Sequence, residues 1–252
     1  MGRMMEFRAV RKVFGMNVVL DGADLSVEKG ETITIMGGSG KGKTVFLKLM
    51  LGVIKPDSGK VIFKGQDIGE MEERELGRMR SHIGMLFQGA ALFDSLTVRE
   101  NIAYPLREHF KYTEEQISKI VAEKLALVGL HGVEGMMPVD LSGGMKKRVG
   151  LARAIATDPD VILYDEPTTG LDPANNKRIC GLIRTLQEKL GVTSIVVTHD
   201  MEAAFAVTDR IAMIHRHKFG FVGTKDEAHR SKDAWVQNFI RGEMESEDDE
   251  EL

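Results

Sequence analysis

A glycine-rich run that ends in a lysine and a threonine is the first candidate for chemistry in this chain. Its residues are Gly37, Gly38, Ser39, Gly40, Lys41, Gly42, Lys43 and Thr44. Glycines let the backbone turn so that successive N–H groups face a phosphate, and a helix that starts there adds the positive end of its dipole. The Lys43 ammonium would reach the terminal phosphates, and the Thr44 hydroxyl would bind magnesium. Val45, the next residue, is also expected to contact the nucleotide. The run therefore predicts a site for a nucleoside triphosphate and Mg²⁺.

Two adjacent acids, Asp165 and Glu166, follow an apolar run at residues 161–164. Open α/β sheets present their chemistry at the carboxyl ends of the strands. Asp165 is suited to holding magnesium through water. Glu166 would point elsewhere and orient or deprotonate an attacking water, a role that depends on hydrogen-bond reach. The pair predicts hydrolysis of the bound nucleotide.

His199 and Gln88 are weaker signals, and their position relative to the other motifs makes them candidates. His199 follows the apolar run at residues 194–197, where a polar side chain could contact the terminal phosphate and position water. A histidine alone at such a place is more often structural. Gln88 follows residues 85–87 and could reach magnesium or the water from a loop. Both are predicted to be catalytic groups, and Gln88 a metal ligand as well.

The elements around these residues read as alternating strands and helices. Strands are predicted at residues 18–20, 24–27 and 31–36, with a turn at Asp21-Gly22, and a hairpin strand at 59–65. A helix is expected over residues 45–52. The third strand, the glycine loop and this helix form the strand, loop and helix context that a phosphate loop requires.

The sequence pattern predicts mainly helices between residues 90 and 157. Thr113 with Gln116 resembles an N-cap and capping box. Strand signals return at 161–164 and 194–197, separated by a helix over residues 173–190 that stops at Gly191. Apolar strands that alternate with helices predict a mainly parallel sheet covered on both faces.

Composition places the chain among folded proteins. It has 252 residues, of which 42% are hydrophobic and 29% charged, with a net charge of −4. No apolar run approaches the roughly 18 residues that would cross a bilayer, and the first residues lack a signal peptide. The chain is therefore expected to stay on the cytoplasmic side. Cys180, the only cysteine, cannot form an internal disulfide or a cysteine-rich metal site.

The last ten residues, 243–252, hold seven acids and no base. Such a run repels itself and cannot bury apolar area, so an acidic disordered tail is expected. Once these seven charges are set aside, residues 1–242 carry a net charge of +3. The acidic total therefore describes the tail and not the domain.

A second phosphate-binding segment is predicted at residues 141–145, Leu-Ser-Gly-Gly-Met. Ser142, Gly143 and Gly144 would open a helix and offer another group of N–H donors, followed by the bases Lys146, Lys147 and Arg148. The glycine loop alone fits kinases, GTPases, helicases and transport ATPases. The glycine loop and residues 141–145 together reduce the number of NTPase classes that the sequence fits.

The whole set resembles the nucleotide-binding subunit of ATP-binding cassette (ABC) transporters over about residues 4 to 242. The resemblance rests on residues 37–44, Gln88, residues 141–145, Asp165-Glu166, residues 170–173 and His199. It implies an active ATPase with ATP and Mg²⁺ and a head-to-tail dimer, in which ATP lies between the glycine loop of one subunit and residues 142–144 of the other. Asp172 would then lie at the dimer seam, and Phe14 would stack on adenine. The chain departs from the family where Met145 replaces a frequent Gln, and where Gly38 and Lys41 replace Pro and a small residue; no catalytic group is lost.

For the fold, this resemblance implies a P-loop NTPase core of the RecA-like type with a mainly parallel sheet, an N-terminal antiparallel β subdomain and an inserted helical subdomain. The expected domain spans residues 1–242. Residues 1–89 and 158–242 would form the catalytic core with the β subdomain, and residues 90–157 the helical subdomain.

Residues 86–93, 101–109 and 141–148 further resemble the ATPase of bacterial phospholipid transport systems that contain MCE-domain proteins. These lipid asymmetry or toluene tolerance systems imply a membrane permease and an MCE-domain protein as partners, and leave other accessory subunits open. The chain would lie at the cytoplasmic face of the inner membrane and bind no nucleic acid. Which lipid moves, and in which direction, stays open.

Other classes of protein share part of this pattern. The same engine could serve amino acid, metal or drug transport. A soluble ABC-type protein acting on ribosomes or DNA would usually carry two cassettes or a long coiled coil. A GTPase would need an Asn-Lys-x-Asp motif, to which residues 224–227 are only a near miss.

Overall fold

The computed structural model describes residues 2–37 and 42–243, which form two sheets and a set of helices. The strands are Arg3–Phe14 (β1), Asn17–Glu28 (β2), Thr32–Met36 (β3), Ser58–Phe63 (β4), Gln66–Asp67 (β5), Ile83–Leu86 (β6), Val161–Asp165 (β7), Thr193–Val197 (β8), Arg210–His215 (β9) and Lys218–Thr224 (β10). The α-helices are Lys43–Met50 (α1), Glu73–Arg80 (α2), Val98–His109 (α3), Glu114–Leu127 (α4), Gly143–Ala154 (α5), Pro173–Leu190 (α6), Met201–Val207 (α7), Lys225–Arg230 (α8) and Ala234–Arg241 (α9). Short 3-10 helices lie at Ile68–Glu70 and Pro138–Asp140.

The larger sheet has the strand order β10-β9-β3-β8-β7-β6. Its neighbouring strands are parallel except for β9 and β10, which form an antiparallel hairpin. Val197 at the end of β8 pairs with Ile35 of β3 on one side and with Asp165 of β7 on the other. The carboxyl ends of three strands thus meet at one edge, as the prediction of a mainly parallel sheet required.

Both faces of this sheet are buried. Successive residues of β7 point to opposite faces, so Ile162 and Tyr164 join a core formed with α3 to α6, while Val161 and Leu163 join a core formed with α1 and the smaller sheet. All four side chains are fully buried. A strand buried on both faces reads as the continuous apolar run that the sequence contains.

The smaller sheet is antiparallel, with the order β2-β1-β4-β5, and its buried side chains share a core with α1 and one face of the larger sheet. The predicted turn at Asp21-Gly22 was wrong, because β2 continues through these residues. The pairing of β1 with β2 shifts register here: Val10 pairs with Ala23, and Lys12 pairs with Leu20. Gly22 has a φ of +73°, which a β-bulge accommodates without ending the strand.

Two helix signals were confirmed. Thr113 caps α4 through a capping box, since its hydroxyl accepts from the N–H of Gln116 and the Gln116 side chain accepts from the N–H of Thr113. α6 begins at Pro173 and ends before Gly191, which has a φ of +64°. The boundaries 90–157 for a helical subdomain stay a prediction. Within residues 2–37 and 42–243, none of the helices has both the length and the apolarity needed to cross a membrane.

Candidate nucleotide-binding site

A cavity of about 460 Å³ lies at the edge of the larger sheet where the parallel strands end. Described residues that line it come from four places in the sequence: Gly42, Lys43, Thr44 and Val45; Gln88; Asp165 and Glu166; and Val197 with His199. The sheet topology places them together, because β3, β7 and β8 are neighbours and the loops that follow them share one edge. Eight of these nine residues are the candidates that the sequence singled out.

The glycine loop connects β3 to α1. Gly38, Ser39, Gly40 and Lys41 lie outside the described residues. Gly37 follows directly after β3, and Gly42 is the N-cap of α1. Gly42 has a φ of +87°, and a Cβ there would lie 2.5 Å from Val19 Cγ1, so both the backbone conformation and the space require glycine. The loop therefore starts and ends in the strand-to-helix context that the sequence predicted.

Lys43 extends from the first turn of α1 into the cavity. Its Nζ donates to the carbonyl oxygen of Gly37 at 2.6 Å and lies 3.9 Å from Glu166 Oε1. Burial lowers the pKa of Lys43, while the charges of Glu166 and Asp165 act in the opposite direction. A cation thus stands between the glycine loop and the carboxylate pair, where it can meet a terminal phosphate.

Glu166 is held in place from several sides. Its backbone has a φ of +46°, a left-handed conformation that costs a residue with a side chain about 1–3 kcal/mol. The Glu166 N–H donates to the carbonyl of Val197 at 2.8 Å, and Oε2 accepts from Thr198 Oγ1 at 3.0 Å. The Glu166 side chain is 11% exposed. Such strain is stable only where the surroundings fix it, and here they aim a carboxylate into the cavity.

His199 meets Glu166 directly. Its Nδ1 lies 2.9 Å from Glu166 Oε1, and its backbone N–H lies 3.4 Å from Oε2. The imidazole is otherwise largely exposed. Because one nitrogen is engaged with the carboxylate, the other nitrogen remains to face a ligand in the cavity.

Asp165 occupies the last position of β7. Burial, and secondly the negative charge of Glu166, raise the pKa of the Asp165 carboxyl above its usual range. A nearby dication would reverse this effect. Asp165, the hydroxyl of Thr44 and the amide of Gln88 all line the cavity, and oxygen donors of these kinds fit Mg²⁺.

The described residues contain no cluster of three or more His, Cys, Asp or Glu side chains that could hold a metal by themselves. Magnesium in nucleotide sites is usually held by one or two protein groups together with substrate phosphates and water. The donor set of the cavity therefore fits a metal that arrives with the nucleotide.

Gln88 lies on the loop that leaves β6, and this loop has an unusual backbone. Ala90 and Ala91 have φ values of +61° and +47°. The Arg153 guanidinium, from α5, donates to the carbonyls of Ala90 at 2.8 Å and Ala91 at 2.7 Å. A third contact to the loop comes from Lys147, whose Nζ donates to the carbonyl of Gln88.

The remaining predicted contacts do not line the cavity. Phe14 ends β1 with an exposed ring, over which the Lys12 ammonium lies at 5.3 Å. Ser142 and Gly143 are exposed at the start of α5, and Gly144 is buried there. Asp172 caps α6 by accepting from the N–H groups of Ala174 and Asn175 at 3.0 Å. These five residues lie apart from the residues that line the cavity within one chain.

The start of α5 matches the predicted N–H cluster only in part. Ser142 is the N-cap, and its hydroxyl accepts from the N–H of Met145 at 3.3 Å. Three bases follow Met145, and two of them do not have the exposed position that phosphate binding would require. Lys147 and Arg148 are buried, and their side chains donate to backbone carbonyls of their own chain, at Gln88 and Glu166 and at Gly144 and Gly129 respectively.

Sequence reasoning missed two residues that shape the site. Thr198 directly precedes His199, and its buried hydroxyl donates to Glu166. Lys147 was noted only as part of a basic run. The apolar residue Leu151, four positions further on and so on the same face of a predicted helix, is the signal in the sequence that Lys147 faces inward.

The chain has a glycine loop between a parallel strand, β3, and a helix, α1. This loop faces a carboxylate pair at the end of β7. Together these features define a nucleotide-binding protein of the P-loop class. The chain belongs to the ABC transporter family, whose pattern matches residues 20–169.

Comparison with individual proteins gives a consistent result. The chain is 45% identical to the intermembrane phospholipid transport system ATP-binding protein MlaF of Haemophilus influenzae, over 92% of this chain and 88% of that protein. It is 40% identical to a probable ribonucleotide transport ATP-binding protein, mkl, of Mycobacterium tuberculosis, over 96% of this chain and 67% of that protein. Among solved structures, it resembles the dimeric post-hydrolysis state of an ATP-binding cassette bound to ADP and Pi. The TM-score is 0.81 at 31% identity, over 88% of this chain and 98% of that chain.

Proposed function

We propose that this chain is the ATP-hydrolysing subunit of a bacterial ABC transporter that moves phospholipids between the inner and outer membranes. The observation that carries the hydrolysis is the convergence of Lys43, Asp165, Glu166 and His199 on one cavity. The observation that carries the substrate class is the 45% identity to MlaF over most of both chains.

Each side chain of the cavity has a separate task in hydrolysis. The Lys43 ammonium binds the terminal phosphates and offsets the charge that develops there. Glu166 orients the attacking water and accepts its proton, and His199 keeps the carboxylate aimed while its free nitrogen meets the terminal phosphate. Bound Mg²⁺ supplies positive charge to the phosphate oxygens, and Thr44, Gln88 and Asp165 are the residues that would hold it.

A second copy of the chain would complete the site. Ser142, Gly143, Gly144 and Asp172 lie apart from the cavity in their own chain, so nucleotide contact by them requires another subunit. The exposed N-terminus of α5 offers backbone N–H groups and a helix dipole to an incoming phosphate. The dimeric form of the related solved structure supports this arrangement. Phe14, exposed at the end of β1, would stack on adenine in the same complex.

A groove of about 450 Å³ lies next to the Gln88 loop and is the surface we assign to the membrane permease. We call it the aromatic groove; the side chains that define it are Phe87, Phe93, Tyr104, Pro105 and His109. The rings of Phe93 and Tyr104 pack at 5.0 Å and stay partly exposed. Because Phe87 directly precedes Gln88, a helix seated in the groove would contact the same loop that reaches the cavity.

The cellular setting follows from the same proposal. The chain would lie at the cytoplasmic face of the inner membrane, attached through the permease, with an MCE-domain protein as a further partner. ATP would close the dimer, closure would change the permease, and hydrolysis would reopen the dimer. The lipid itself would not touch this chain. The similarity to mkl keeps transport of another substrate as the alternative.

The test is to isolate a tagged copy of the chain from native membranes in mild detergent and to identify proteins and lipids that copurify by mass spectrometry. A permease, an MCE-domain protein and bound phospholipid would support the proposal. A different permease with a solute-binding protein would leave the ATPase intact and replace the substrate class.

A further inference from the structure

Lys147 is a buried cation for which the proposed mechanism has no use. It lies on α5 and is 5% exposed. A buried lysine is normally paired with an acid, because desolvation of an ammonium is costly. In the described part of the chain no carboxylate lies within ion-pairing distance of the Lys147 ammonium, although it donates to two backbone oxygens.

The two acceptors of Lys147 belong to two residues of the site. Its Nζ donates to the carbonyl oxygen of Gln88 and, at 3.2 Å, to the carbonyl oxygen of Glu166. The side chains of both acceptor residues line the cavity. Burial lowers the pKa of Lys147, and the nearby charges of Asp165 and Glu166 oppose this effect. The ammonium therefore lies behind the cavity wall, in contact with the main chain that carries two of its groups.

Both segments held by Lys147 contain strained backbone. Glu166 has a φ of +46°, and Ala90 and Ala91, just after Gln88, have φ values of +61° and +47°. Non-glycine residues adopt this conformation rarely and keep it only when neighbours determine it. α5 supplies such neighbours at two places, through Lys147 and through Arg153, which donates to the carbonyls of Ala90 and Ala91.

We propose that Lys147 is a positioning residue for ATP hydrolysis, which holds the main chain of Gln88 and of Glu166 at the cavity. This rests on the proposed function of the chain as an ATPase. Lys147 lies five residues after Ser142, about 7.5 Å along the axis of α5. The start of α5 is thus the segment assigned to a partner's nucleotide. About one and a half turns further along the same helix, Lys147 holds the Gln88 loop and the Glu166 main chain of its own subunit.

A positioning role predicts a change in turnover and not in nucleotide affinity. The proposed mechanism assigns the terminal phosphates to Lys43, whose ammonium donates to the carbonyl oxygen of Gly37, whereas Lys147 donates to the carbonyl oxygens of Gln88 and Glu166. Loss of the ammonium would release the Gln88 loop and the main chain of Glu166, so the water and the carboxylate would lose alignment. Small misplacements of catalytic groups cost up to about 100-fold in rate.

The experiment compares K147M, K147Q and K119M in the purified chain. Methionine keeps the length of the side chain and removes its donors; glutamine keeps two N–H donors without the charge. Lys119 is an exposed lysine on α4, outside the cavity and the aromatic groove, so K119M is the matched control. The measurements are kcat and KM for MgATP, the Kd of a fluorescent ATP analogue, and the melting temperature.

We expect kcat of K147M to fall at least about tenfold, with the Kd within about twofold of wild type. K147Q should recover part of the rate, and K119M should match wild type. Wild-type kcat in K147M would overturn the inference, as would a parallel loss of rate, affinity and melting temperature in both K147M and K147Q. If K147M alone has a lowered melting temperature, the inference is tested on K147Q. A kcat below wild type with wild-type affinity would support it, and a wild-type kcat would overturn it. Absence of ATPase activity in the wild-type chain would instead reject the proposed function.

Discussion

The imidazole Nδ1 of His199 lies 2.9 Å from Oε1 of Glu166. An ionised carboxylate can only accept hydrogen bonds, so a hydrogen bond between this pair requires a proton on Nδ1 of the ring. The contact joins the loop after β8 to the loop after β7, and Thr198 adds a second bond from the same side at 3.0 Å. Glu166 is thereby fixed before any ligand arrives, which favours a role in orienting water over a role in binding.

Replacement of Glu166 by glutamine should stop turnover and keep nucleotide binding. The amide retains the size of the side chain but cannot accept a proton, so phosphate release should fall by at least about 100-fold. The Kd for ATP should stay within about twofold. E202Q is the matched control, because Glu202 is an exposed glutamate at the start of α7 outside the cavity. Unimpaired phosphate release by E166Q would contradict the assignment of Glu166.

Lys43→Ala should lose nucleotide affinity. The Lys43 ammonium is the described cation that lies between the carbonyl of Gly37 and the carboxylate of Glu166, and phosphate binding depends on its charge. Equilibrium binding of a fluorescent ATP analogue should weaken by at least about tenfold, the loss expected for a charge-assisted contact. Lys48→Ala removes an exposed lysine from the same helix and should bind as wild type. Retained affinity in Lys43→Ala would count against the phosphate-loop role.

The pH dependence of stability should change in D165N. Burial, with the charge of Glu166, raises the pKa of Asp165, so the ionised form destabilises the fold. The stability that the fold has while Asp165 is protonated is fully present below the ordinary pKa of an aspartate. It is lost as the pH rises through the raised pKa of Asp165. Without nucleotide and metal, D165N should therefore melt about 2 °C above wild type at pH 8. The difference should shrink as the pH falls and disappear at about pH 3, below the ordinary pKa of an aspartate.

The control for this measurement is D94N, which changes an exposed aspartate outside the cavity. It should shift the melting temperature little at either pH, as surface substitutions usually do. A D165N protein that melts below wild type at pH 8 would show that the Asp165 charge stabilises the unliganded fold, contrary to the prediction.

Gly84→Ala should destabilise the protein. A Cβ on Gly84, in β6, would lie 2.2 Å from the carbonyl oxygen of Ala154 at the end of α5, and a backbone atom cannot move aside freely. The expected cost is about 1–3 kcal/mol or more in the free energy of unfolding, measured by urea denaturation. G77A in α2 is the opposite control, since a Cβ there meets nothing within 4 Å and alanine should stabilise the helix by up to about 1 kcal/mol. Equal stability of Gly84→Ala and wild type would refute the close approach.

Tyr104→Ala should weaken attachment to the permease. Tyr104 is 44% exposed in the aromatic groove and packs on Phe93, so its loss removes apolar area from the proposed interface. Recovery of the tagged chain with native membranes should fall by at least about fivefold, consistent with loss of an aromatic anchor, while ATPase activity of the isolated chain stays near wild type. Tyr112→Ala removes a tyrosine that is 41% exposed outside the groove, and it should attach normally. Equal recovery of both variants would argue against the groove as the docking surface.

Short-range signals in the sequence predicted where several helices begin or end. Gly42 before α1, the capping box at Thr113 and Gln116, and Gly191 after α6 all act within a few residues, so they could be recognised without knowledge of the fold. The turn at Asp21-Gly22 failed for the opposite reason. The same glycine conformation serves a turn or a bulge, and only the pairing of β2 with β1 distinguishes them.

By itself the sequence determined the parallel sheet with its phosphate loop and carboxylate pair, because strand ends, glycines and caps leave short-range patterns. Only the tertiary structure decided which groups meet. β3 and β7 flank β8, which places Asp165 and Val197 side by side, and the packing of α5 turns Lys147 inward to Gln88 and Glu166. Residues 59 positions apart, such as Gln88 and Lys147, leave no periodic pattern that links them. Burial and long-range hydrogen bonds depend on how distant segments pack, and that is decided by the fold as a whole.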